Sequence, residues 1–195
     1  MCWNASVSLQ TFLFSTFPLV LCYYFGLISF SKFITFQTFI SMQLVEYFLW
    51  TYLDTPWNAF LSKIGLFFIL LFPLQSILFS ALSFKLPLLG LYLCFVAYLF
   101  TFPIRFHTSI AKNKHLSWDW IKFPLPVVLI WASFYVLPHL YNHTMTTMFT
   151  VSVFFITLYT YYNTNTYGSM WCWVASFLSL YMYYLLGKFM LSYVL

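Results

Sequence analysis

Ser41-Met42-Gln43-Leu44-Val45-Glu46-Tyr47-Phe48-Leu49-Trp50 is the stretch that decides how the chain is read. It lies inside an apolar run from Phe33 to Leu53, and about 20 such residues suffice for a helix to cross a bilayer. Glu46 is the one ionisable residue of the run, and Gln43 lies one turn before it. On a helix, positions 43, 46 and 50 share a face, because i, i+3 and i+7 stack. A carboxylate at membrane depth costs about 2.5–3.5 kcal/mol on insertion scales, so such a side chain turns toward protein or water. Gln43 and Glu46 are therefore expected to be a buried polar pair, serving as a hydrogen-bonded link between helices or as a proton site.

Composition extends that reading to the whole chain. Its 195 residues are 63% hydrophobic and 6% charged, with a mean hydropathy of +0.88. A soluble domain carries roughly a quarter charged residues, so this chain reads as a polytopic membrane protein with the lipid bilayer as its partner. The net charge of +5 is spread too thinly for nucleic-acid binding. Cys2, Cys22, Cys94 and Cys172 form no disulfide-dense pattern, and Cys22 and Cys94 read as small apolar residues. Met1-Cys2-Trp3-Asn4 lacks the basic start of a signal peptide, so the first apolar run is expected to remain as a helix.

Seven runs follow one another: Val7–Phe25, Phe33–Leu53, Asn58–Phe84, Leu88–Phe106, Phe123–Leu140, Met145–Tyr162 and Ser169–Leu186. They predict an all-α fold, a single domain over 1–195 built as a bundle of seven transmembrane helices. Pro18 and Pro73 mark expected bends, since each removes a backbone hydrogen bond. The one long polar segment, Arg105 to Lys122, reads as a loop, and Asn163–Gly168 as a turn. Phenylalanine, tryptophan and tyrosine make up 26% of the chain, enough for interfacial belts or for filling a bundle.

Seven spans put the N-terminus and the second–third, fourth–fifth and sixth–seventh connections on one side. That side holds Lys63, Arg105, Lys112, Lys114 and Lys122, against Lys32, Lys85 and Lys188 on the other. The excess predicts a cytoplasmic N-terminus, in a cellular membrane or a viral envelope. The Asn142-His143-Thr144 sequon falls on the opposite side.

Alternation also gathers chemistry at one end. Cys2 and Trp3, then Glu46, Trp50 and Asp54, then His115, Trp118 and Asp119, and finally Trp171, Cys172 and Trp173 all belong to the N-terminal side. Glu46 would lie about eight residues, or roughly 12 Å, below the end of its helix. Each piece also has a plainer reading. Trp3, Trp118, Trp171 and Trp173 read most simply as interfacial anchors. His115 and Asp119, four apart, read as one stabilising helical pair. No CxxC or HxxxH spacing falls within this group, and His139 and His143, four apart, lie on the other side and read as flanking a loop, so no metal site is expected; the cofactor is left open.

Met1–Asn4 with Ser6 and Ser8, Met42–Trp50, His115–Asp119 and Gly168–Trp173 together resemble an uncharacterised family of small multi-helix membrane proteins. Its members occur in bacteria, fungi and large DNA viruses of protists. The resemblance is scattered along nearly the whole chain, and the MCW and WCW elements carry most of its specificity. Some relatives have the acid where Gln43 stands and the amide where Glu46 stands, as expected of two side chains in one buried network. The fourth–fifth connection is shorter here than in bacterial members. The resemblance implies a membrane bundle and no particular activity.

Three functions fit these readings. The first is a non-enzymatic small transporter, channel or sensor with a polar site at the cytoplasmic end. The second is a structural or envelope protein. The third is a membrane-embedded enzyme with Cys2 or Cys172 as thiolate and His115 as base. No lysine lies mid-way along the last run, which leaves a retinal Schiff base unsupported.

Overall fold

The computed structural model describes residues 4–142, 144–169 and 172–194, with side chains described for all of these except 139, 141–150, 172–174, 193 and 194. Among them are seven α-helices: α1 Ala5–Tyr24, α2 Phe30–Thr51, α3 Trp57–Leu78, α4 Lys85–Leu99, α5 Leu125–Asn142, α6 Thr144–Tyr161 and α7 Cys172–Val194. Local chemistry sets most ends. The Asn4 side chain accepts a hydrogen bond from the Val7 backbone N–H at 2.9 Å, and Ser29 does the same for Lys32, so α2 begins three residues earlier than the apolar run suggests. Past the end of α1, Gly26 takes a left-handed conformation (φ 69°), and the Leu27 N–H closes onto the Cys22 carbonyl at 2.8 Å.

Two expected boundaries move for reasons written in proline. α4 starts at Lys85 rather than Leu88, because Pro87 sits in its first turn, where a missing N–H costs nothing. It stops at Leu99 rather than Phe106, since Pro103 disfavours helix in the residue before it. At 15 residues α4 is only about 22 Å long. α3 is also shorter than expected, ending at Leu78. α7 runs past Gly187 to Val194, beyond the expected Leu186.

Odd-numbered helices run in one direction. α1 and α7 lie parallel, tied by Ser15 and Ser179, which share a short hydrogen bond, and by the Cys22 thiol on the Met182 carbonyl at 3.4 Å. α3 and α5 are joined where the Ser76 hydroxyl donates to the Tyr135 carbonyl at 2.7 Å. α2 packs between α1 and α3, and Gln75 of α3 donates to Thr38 of α2 at 2.8 Å. α3 is the hub, flanked by α2, α4 and α5, while α6 packs on α5. The apolar interior divides accordingly. Leu19, Cys22, Ile28, Ile40 and Met182 fill the α1–α2–α7 side, and a larger cluster around Phe72, Tyr92, Trp118 and Trp120 fills the rest.

The segment read as a polar loop is folded. Thr108–Ile110 (β1) and Leu116–Trp118 (β2) pair antiparallel, with Thr108 opposite Trp118 and Ile110 opposite Leu116. Lys114 closes the turn at φ 64°, its N–H donating to the Ala111 carbonyl. A 3-10 turn over Asp119–Ile121 follows and leads into α5. This hairpin occupies the end of the bundle left open by the short α4, where the second–third connection and the sixth–seventh turn also lie.

By length and composition, two helices among the described residues, α1 and α3, are long and apolar enough to cross a membrane. The chain is all-α as expected, but seven such spans do not follow from this measure. α4 is too short, and α2 carries a series of hydroxyl and amide groups that dilute its apolar character.

Candidate functional site

Gln43, Glu46 and Trp50 form a stripe along α2. On one side of the stripe Phe39, Met42, Val45 and Leu49 feed the larger cluster, and on the other Ile40 feeds the smaller one. Glu46 is 1% exposed and Gln43 2%, deep burial for a residue type that is almost never fully buried without a partner. Trp50 is half-buried, and its indole N–H has no hydrogen-bond partner among the described residues. α7 packs against α2, and Ala175 of α7 belongs to the same large cluster as Val45 and Leu49.

Toward the capped end the polar chemistry comes from residues the sequence did not single out. Asn58, in the first turn of α3, accepts from the Thr108 N–H and donates to the Thr108 carbonyl, both at 2.8 Å, pairing with the hairpin as a strand would. Its amide also donates to the Leu53 carbonyl at 2.6 Å. The hydroxyls of Ser62 and Thr108 meet at 2.9 Å, and the Trp120 indole N–H donates to Thr108 Oγ1 at 3.1 Å. Trp120 stacks on Trp118 with centroids 4.7 Å apart and planes 14° from parallel, both fully buried. Each indole rests on a glycine. A Cβ at Gly65 would sit 2.8 Å from the Trp120 ring, and one at Gly168 would fall inside contact distance of the Trp118 ring and Ile121.

The sixth–seventh turn locks onto the same cap. The Trp118 N–H reaches the Asn165 carbonyl at 3.4 Å, and the Asn113 amide donates to Thr166 Oγ1 at 2.9 Å. The Tyr167 hydroxyl donates to the Ile121 carbonyl at 2.7 Å. Burial, and secondarily Tyr162, pushes the Tyr167 phenol up, so it stays a donor across the ordinary pH range. Replacing Asn58 with alanine removes four hydrogen bonds, one of them accepted from the Ser62 hydroxyl, and strands the Thr108 N–H and carbonyl in a buried site. The expected cost is about 2–3 kcal/mol, read as a lower melting temperature of the purified protein.

Two expectations about the cap are corrected. His115 and Asp119 do not share a helix, because the segment is a hairpin. Asp119 pairs instead with Lys122 and, at 3.4 Å, with His107, while the His115 ring lies edge-on to Tyr161 at 6.5 Å. Trp118 is not an interfacial anchor: it is 2% exposed, in the core of the cap. Asp54 is exposed on the second–third connection. Cys2, Trp3 and Trp171 lie outside the described residues. Cys172 and Trp173 begin α7, without described side chains.

The missed residues left a partial signal. Asn58, Ser62 and Gly65 fall at i, i+4 and i+7 in an otherwise apolar run, a narrow stripe of polar and small residues. Trp120 left none, and Gly168 stood out only as part of a turn and not as the seat of a ring. No protein-family model, curated protein or solved structure matches this chain, so the site is read from its own geometry.

Proposed function

We propose that the chain is an integral membrane protein, a seven-helix bundle that acts without enzymatic chemistry as a small proton-conducting transporter or channel, with Glu46 as the proton-carrying group. The observation that carries this reading is Glu46 itself, 1% exposed beside a 2% exposed Gln43. The outside of the bundle supports the membrane setting. Phe17, Leu86, Leu91, Ile156, Tyr159 and Leu191, from four helices, are all more than half exposed. A water-soluble monomer rarely exposes so continuous an apolar surface. Where α4 falls short of the roughly 30 Å hydrocarbon core, the hairpin closes that end of the bundle, with Asn58 and the Asn165 carbonyl meeting backbone groups that its own ladder leaves open. In this reading the capped end, with Lys63, Arg105, Lys112, Lys114 and Lys122, faces the cytoplasm.

The test is proton movement in sealed vesicles. Protein reconstituted into liposomes with a trapped pH-sensitive dye should dissipate an imposed pH gradient faster than protein-free liposomes. Equal rates with and without protein would remove the transport reading.

A further inference from the structure

An apolar hollow of about 50 Å³ lies among α3, α5, α6 and the sixth–seventh turn. Leu66, Val128, Trp131 and Phe154 wall it and are buried, while Ile69, Leu70 and Phe123 are half-buried and mark its outer side. It has room for several waters, since each needs roughly 10–15 Å³, but a water also needs two or more polar partners. The wall exposes almost no polar surface. The Tyr167 hydroxyl, at its border, is already committed to the Ile121 carbonyl. The hollow is therefore dry, by the same rule that keeps an apolar cavity of about 150 Å³ free of water yet able to take benzene or xenon.

Size narrows the occupant. At about a third of that volume, the hollow has no room for a ring or a chain. What fits is a single monatomic or diatomic molecule without a hydrogen-bonding group. An unfilled void forfeits the dispersion contacts of its lining, and such a molecule restores them against the polarisable rings of Trp131 and Phe154. A largely buried lining does not bar a gas, because brief local openings admit it. Apolar gases dissolve better in hydrocarbon than in water, so a bilayer would concentrate them beside Ile69, Leu70 and Phe123.

We propose that this hollow is a binding site for one molecule of a small apolar gas of the dioxygen class. Its own geometry and lining carry the assignment. Neither the seven spans nor proton carriage by Glu46 is required for it, so the failure of either leaves this site standing.

NMR of the methyl-labelled, full-length protein in detergent tests it, with xenon under pressure as the first probe. The methyl signals of Leu66, Val127 and Val128 should shift and then saturate as xenon pressure rises. Those of Leu19 and Ile40, in the smaller cluster, should not. The hollow's methyls should also show no cross-relaxation with water. Dioxygen under pressure should broaden the same signals through its unpaired electrons, and added xenon should suppress that broadening. Val128→Phe, which fills the hollow from α5, should abolish the saturable shift. Val128→Leu, a smaller filling, serves if the first variant does not fold, and it should weaken the saturation. Shifts that are linear and alike in both clusters, water contacts at the hollow's methyls, or full xenon binding by a folded filling variant would overturn the proposal. Dioxygen broadening that xenon leaves unchanged would put dioxygen elsewhere and overturn it too.

Discussion

Replacing Trp120 with alanine should destabilise the protein by about 3–5 kcal/mol, the usual cost of deleting a large buried aromatic side chain. Trp120 is fully buried, stacks on Trp118 and bonds Thr108, which is itself held by Asn58 and Ser62. Its loss opens a cavity where the hairpin meets α3 and removes one side of the stack. Gly168→Ala reaches the same place from the opposite side. The added methyl meets the Trp118 ring and Ile121 below 3 Å, and a flat indole clamped against Trp120 has no soft end to yield. Overpacking of this kind costs about 1–3 kcal/mol or more. A smaller side chain at position 118 should recover part of that loss, so Gly168→Ala with Trp118→Leu should be less damaging than the sum of the two changes. Thermal melting of the four proteins in detergent reads all of this. A sum that is simply additive would mean that Gly168 does not seat Trp118.

The second large effect concerns Glu46. Glutamine is isosteric with glutamate and keeps a hydrogen-bonding head group, so Glu46→Gln should preserve folding and melting temperature. It cannot release a proton, so protein-dependent dissipation of a pH gradient should fall to the protein-free rate. The same stripe offers a second position. Gln43 lies one turn away and is just as buried. Gln43→Glu on the Glu46→Gln background should therefore restore much of the flux, since it returns an acid to the same buried stripe. Unchanged flux in Glu46→Gln would assign Glu46 a structural role alone.

The seven helical runs were legible because apolar stretches long enough for helices are separated by polar or proline-rich breaks. The burial of Glu46 was legible too, since a lone acid in such a stretch has nowhere else to go at low cost. Pro87 and Pro103 carried the true limits of α4, but hydrophobicity alone extended that helix to Phe106. The hairpin was harder to see. Its strands are three residues long, and their pattern, Thr108-Ser109-Ile110 and Leu116-Ser117-Trp118, is too brief to stand out from a polar loop. The seats of the two indoles were not legible at all. Gly65 lies 55 positions before Trp120, and Gly168 lies 50 after Trp118. Only the folded chain shows that a missing Cβ at each makes room for a ring.

The proposed membrane-crossing bundle underlies the depth assigned to Glu46 and the direction of any flux. Site-specific cysteine labelling tests it most directly. Ser6 in the first turn of α1 and Ser192 near the end of α7 are both exposed, so each can carry a single cysteine in a chain whose four native cysteines are replaced. A membrane-impermeant maleimide added to sealed, right-side-out vesicles should label position 192 at once and position 6 only after permeabilisation. Labelling of both positions from the same side would contradict an odd number of spans and, with it, the seven-helix transmembrane bundle.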